Sequence, residues 1–95
     1  METDYLIDGM LSGTGVRDTV NGGYVEPGAI GLSSLLVRDI AAWQQKYEEA
    51  HFAGFPEELV ADLDEEGLVL SSRAAGELGG KSVGYYSNGR LKRLT

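Results

Sequence analysis

The sequence predicts an α+β domain of two layers, in which two antiparallel helices pack on one face of a small, mostly antiparallel sheet. Three observations carry this expectation. Leu36, Ile40, Trp43 and Tyr47 recur at spacings of four, three and four residues, which is one face of an α-helix. A second apolar stripe follows Pro56, through Leu59, Leu63, Leu70, Ala74 and Leu78. Both ends of the chain consist of short apolar pieces set between turn residues, the pattern of brief strands.

Residues 1–31 are glycine-rich, with Gly9, Gly13, Gly15, Gly22, Gly23, Gly28 and Gly31. Between them lie Tyr5-Leu6-Ile7, Met10-Leu11 and Tyr24-Val25. Asn21-Gly22 suits a two-residue turn between Asp18-Thr19-Val20 and Gly23-Tyr24-Val25. Glu26-Pro27-Gly28 breaks whatever strand precedes it. The segment therefore reads as an N-terminal strand and a small hairpin, with enough glycine for part of it to lack fixed order.

The first helix is expected over residues 33–50, with Ser33 or Ser34 as its N-cap, because a serine oxygen can accept from a free first-turn amide. Gly54 ends the segment. The second is expected over residues 56–78. Pro56 suits the first helical position, and Glu57 and Glu58 complement the helix dipole. Gly67 interrupts it at a cost of about 1 kcal/mol relative to alanine. The apolar face stays in phase across Gly67, so one helix is expected, ending at Gly79-Gly80.

Residues 81–95 read as a hairpin. Val83, Tyr85 and Tyr86 are strand formers, Asn88-Gly89 fits a type I′ turn, and Leu91 and Leu94 lie in the returning arm. The core is expected to be dominated by Leu36, Ile40, Trp43, Tyr47, Leu59, Leu63, Leu70 and Leu78. With 95 residues and no linker, the chain reads as a single domain, 1–95.

Charge is unevenly distributed. The net charge is −7, from 15 acids and 8 bases. Residues 1–67 carry a net of −11 and residues 68–95 a net of +4. The acidic body disfavours nucleic acid as a partner and could attract a basic protein, although the simpler reading of the charge is that it keeps a small protein soluble. There is no cysteine, which excludes disulfides, thiolate metal sites and cysteine nucleophiles and fits the cytoplasm. Met1-Glu2-Thr3-Asp4 carries acids where a signal peptide carries bases. No apolar run approaches the ~20 residues of a membrane span.

No motif names a chemistry. Asp62-Leu63-Asp64-Glu65-Glu66-Gly67 matches the start of a calcium loop, but Arg73 stands at the twelfth position, where a bidentate glutamate belongs. A helix with solvated acids is the simpler reading, and no metal or cofactor is expected. Gly13-Thr14-Gly15 lacks the remainder of a phosphate loop. His51 is the only histidine; paired with a carboxylate such as Glu48 it could act as a general base. The serines lack any nucleophile elbow.

Two candidate contact surfaces remain. One is the acidic group Asp62, Asp64, Glu65 and Glu66. The other is a C-terminal patch of Tyr85, Tyr86, Arg90, Lys92 and Arg93. Successive strand residues point to opposite faces, so one of the two tyrosines is expected beside these bases at the surface.

The stretch Ala42-Trp43-Gln44-Gln45-Lys46-Tyr47-Glu48, then Gly54-Phe55-Pro56, Glu66-Gly67 and Gly76-Glu77-Leu78-Gly79, resembles a loose set of small acidic bacterial proteins of uncharacterised function. Members of that set pair an N-terminal strand with a helix bearing "AW…Y", a second helix carrying "EG" and ending "ELG", and a final strand. The resemblance covers about residues 30–86. It implies the same fold and a bacterial source, and supplies no catalytic residues. The glycine-rich start departs from the more regular first strand of that set.

Three functions are compatible with these features. The first is a non-catalytic protein-binding module of the immunity or antitoxin kind, whose acidic surface covers a basic partner. The second is a structural or regulatory homodimer formed through an exposed sheet edge. The third is a small enzyme using His51 and a carboxylate.

Overall fold

A computed structural model of the chain describes residues 3–95, so Met1 and Glu2 of the glycine-rich segment lie outside the described residues. The elements run β1 (Tyr5–Asp8), β2 (Val16–Asp18), a 3-10 turn (Pro27–Ile30), α1 (Ser34–Phe52), α2 (Glu57–Leu78), β3 (Val83–Ser87) and β4 (Lys92–Arg93). The strand order is β2-β1-β3-β4. β1–β2 and β3–β4 are antiparallel, while the central pair β1–β3 is parallel. The helical hairpin is the crossover that makes this parallel pairing possible.

The helices form where their stripes place them. Ser33 caps α1, its hydroxyl accepting from the Leu36 amide at 3.2 Å. Pro56 sits one residue before α2 rather than inside it. The hairpin is stitched along its length by Ser33–Glu77, Asp39–Arg73 and Lys46–Glu66 contacts, and by Trp43 Nε1 donating to the Leu63 carbonyl at 2.9 Å. These pairings run antiparallel, from Ser33–Glu77 at the open end of the hairpin to Trp43–Leu63 nearer the connection.

Ile7, Val16 and Tyr85 are cross-strand neighbours in the β1–β2 and β1–β3 registers, so they share the face beneath the helices. Trp43 lies edge-on to both Tyr47 and Tyr85, with ring centroids at 5.3 and 6.0 Å. Leu36, Ile40, Leu63 and Leu70 complete the buried cluster with Leu32, Ala50 and Ala74. Leu59 and Leu78 are only half-buried at its margin.

Gly67 is explained by packing. A Cβ there would lie 2.1 Å from Cε1 of Tyr85, so α2 approaches β3 as closely as it does only because the side chain is missing.

The turn chemistry differs from expectation at both ends. Met10 and Leu11 form a turn after β1, not a strand. In the first hairpin the Asp18 amide donates to Gly23 O, while the Asp18 carboxylate receives the Val20 and Asn21 amides. The connection is therefore wider than a two-residue Asn21-Gly22 turn. At the C-terminus the positive φ falls at Leu91 (55°), not at Asn88 or Gly89. Asn88 is held by its side-chain bond to Asp8. Gly89 is required for space, since a Cβ would come within 2.8 Å of the Val60 methyls.

Neither sheet edge is bare and flat. Tyr24 bridges to Arg17 and the Val25 amide donates to Val16 O, which covers β2. β4 is two residues long and carries Lys92 and Arg93, the short, charged form that discourages edge pairing.

Candidate functional site

Val60, Asp64, Gly67 and Ser71 form the buried row of α2 that faces β3 and the final turn. Asp64 is thereby carried inside, and it is not part of the acidic surface expected from the sequence. The Tyr85 hydroxyl donates to Asp64 Oδ1 at 2.6 Å, and the Tyr47 hydroxyl lies 3.5 Å from the same oxygen. Arg90 Nε donates to Oδ2 at 2.9 Å, while Arg90 Nη2 donates to Glu57 at 2.8 Å. The Gly89 amide donates to the Tyr47 hydroxyl at 2.8 Å. Burial, and then the bond to Asp64, push the Tyr85 phenol well above its ordinary value. This network anchors the final turn to both helices and leaves neither Asp64 oxygen without a donor.

The opposite face of the sheet holds a second buried carboxylate. Asp8 Oδ1 accepts from the Met10 amide at 3.1 Å and from the Asn88 side-chain amide; Oδ2 accepts from the Tyr24 hydroxyl at 3.0 Å and pairs with Arg17 Nε at 3.2 Å. Arg17 also lies over the Tyr86 ring, 5.1 Å from its centroid. Burial pushes the Asp8 carboxyl up, with Arg17 and the three hydrogen bonds opposing it. Burial, and then the charge on Asp8, push the Tyr24 phenol up to about 12. Asp8 thus gathers residues 10, 17, 24 and 88 around the end of β1.

His51 is half-buried. Its Nε2–H donates to the Gly9 carbonyl at 2.9 Å, and its ring meets Phe55 edge-on at 4.7 Å. Beside it the Ser12 amide donates to Glu48 at 3.0 Å. Both side chains hold the loop after β1 against α1.

The C-terminal patch does not assemble. Tyr85 is fully buried beneath α2, Tyr86 is half-buried under Arg17 on the other face, and Arg90 is engaged by Asp64 and Glu57. Lys92 and Arg93 are exposed on β4, and Arg93 reaches back to Thr3.

The acidic surface is regrouped. Glu66 pairs with Lys46 at 2.7 Å. Asp62 and Glu65 are exposed, and Glu58 joins them one turn earlier. The three stand at i, i+4 and i+7 on α2, hence in one row. No described basic side chain lies within ion-pair distance of any of them. Contiguity in sequence suggested residues 62–66, whereas the helical period selects Glu58, Asp62 and Glu65. Residues 62–67 are helical throughout, so the calcium loop they resemble does not form. Among the described residues, no three His, Asp or Glu side chains converge as metal ligands, and no helix is long and apolar enough to cross a membrane.

No protein-family model, curated protein or solved structure matches this chain.

Proposed function

We propose that this chain is a non-catalytic protein-binding module of the immunity or antitoxin kind, which covers a basic partner with the outward face of its helical hairpin. The observation that carries the reading is the row Glu58, Asp62 and Glu65, exposed and without counter-ions among the described residues. Like charges at i and i+4 destabilise a helix by about 0.2–0.5 kcal/mol per pair. Glu58 complements the dipole at the start of α2, but Asp62 and Glu65 lie beyond the first turn, where attraction of a cationic surface accounts for them and helix stability does not. The titratable groups that chemistry would need are engaged elsewhere: Asp8, Asp64 and His51 each hold a loop or turn in place. The lack of cysteine, and the resemblance to small acidic bacterial proteins, fit work in a bacterial cytoplasm. The edge-paired homodimer is the weaker reading, because β2 is covered and β4 is short and basic.

The test is affinity capture from host lysate at low and high salt, with the parent protein and the variant Glu58→Gln/Asp62→Asn/Glu65→Gln in parallel. A basic protein retained by the parent at low salt and lost by the variant supports the reading. Equal retention by both, or no retention, overturns it.

A further inference from the structure

We propose that the outward row of α2 is the seat for an amphipathic helix of the basic partner, one that carries cationic residues at one end of its contact face and apolar residues at the other. The inference rests on the function proposed above and names the form the partner takes. The row does not stop at Glu65. Glu58, Asp62, Glu65, Val69, Ser72 and Gly76 follow one another at spacings of four, three, four, three and four residues, and all six are exposed. That alternation is the seam along which one helix packs on another. At 1.5 Å per residue the seam runs about 27 Å, or about five turns.

The row changes character at its middle. Its first half is acidic, whereas its second half is uncharged and leaves Val69 55% exposed. Leu35, 53% exposed, stands on α1 at the level of this second half, between the Ser33–Glu77 and Asp39–Arg73 pairings. Gly76 is an observation independent of charge. After proline, glycine is the residue least suited to a helix. The other glycine of α2, Gly67, is required by Tyr85, but a Cβ at Gly76 would meet no described atom of the rest of the fold within 4 Å. No described contact calls for the missing side chain, whereas a close approach from outside does.

Charge decides the occupant. A second copy laid along this row would bring no base to the acids, because none of the six positions is basic. A uniformly cationic segment would leave Val69 and the space above Gly76 uncovered. A helix with bases over Glu58, Asp62 and Glu65 and large apolar side chains over Val69 and Gly76 matches both halves, the acids steering it and the apolar half fixing its register.

The experiment measures, by fluorescence anisotropy at low salt, the binding of two labelled helical peptides to the full chain. Both have about 19 residues, the span of the row, and the same content of lysine, leucine and alanine. In the segregated peptide one face carries lysines in one half and leucines in the other; in the mixed peptide the two alternate along that face. The segregated peptide is expected to bind about tenfold tighter. Val69→Gln and Gly76→Gln leave every acid in place, and each should weaken the segregated peptide about tenfold while leaving the mixed one unchanged. Gly76→Gln should not lower the midpoint of urea unfolding, so its loss of binding is not a loss of fold. Equal binding of the two peptides, or unchanged binding in both variants, overturns the proposal and leaves the charge reading standing. Failure of both peptides to bind also overturns it, and capture from lysate then decides the charge reading alone. A dimer of the parent in sedimentation velocity that Val69→Gln dissociates would assign the face to a second copy and overturn it as well.

Discussion

Gly67 and Tyr85 fit together as a notch and the ring that fills it: the Cβ that Gly67 lacks would lie 2.1 Å from Cε1 of the tyrosine. Tyr85 has little room to retreat, because its hydroxyl is held by Asp64 and its backbone sits in a central strand. In an open helix, Gly→Ala would stabilise by about 1 kcal/mol. Here overpacking costs about 1–3 kcal/mol and reverses the sign. Gly67→Ala should therefore lower the midpoint of urea unfolding, and a raised midpoint would refute the contact.

Asp8 receives two donors on each oxygen. Burial raises its folded-state pKa above the ordinary 3.8, so the folded chain holds this proton more tightly than the unfolded one. At this site alone, stability is greatest below the ordinary value and falls as pH rises through the raised one. A neutral isostere is nevertheless not expected to stabilise. Asp8→Asn turns one oxygen into an NH2 group that faces two donors, at a loss of about 1–3 kcal/mol. Denaturation at neutral pH checks this; a more stable Asp8→Asn would mean that desolvation outweighs the four bonds.

Glu77 acts in the opposite sense. The backbone amide of Ser33, then its hydroxyl, hold the Glu77 carboxyl below its ordinary 4.5. Its contribution is fully present above 4.5 and is lost as pH falls through the lower folded value. Unfolding midpoints of the parent and Glu77→Gln should differ most near neutrality and converge in acid. A gap independent of pH would show that the charge plays no part.

Much of the helical layer was legible in the sequence, because a 3.6-residue period is a local signal and the phase of α2 survives Gly67. A serine cap was legible as Ser33 or Ser34, and the bond from the Leu36 amide selects Ser33. The β1–β3 pairing was not: it joins Tyr5 to Val83 across the whole helical hairpin, and no local pattern encodes it. Asn88-Gly89 looked like a type I′ turn, but tertiary contacts with Asp8, Tyr47 and Val60 fix its backbone instead. Asp64 read as a surface acid because its three neighbours in the network, Tyr47, Tyr85 and Arg90, come from distant segments. The exposed row from Glu58 to Gly76 carried no signal of its own, since only the packing of α1 and the sheet decides which face of α2 stays open.

The central claim is that Glu58, Asp62 and Glu65 bind a basic partner. It is tested most directly by measuring the affinity of the captured partner across a salt series, for the parent and for Glu58→Gln/Asp62→Asn/Glu65→Gln. Circular dichroism should first confirm that the variant is helical. The expected result is tight binding at low salt that weakens steeply with salt in the parent, with the variant weak throughout and its salt dependence flattened. The same affinity and salt dependence in both proteins would contradict the account.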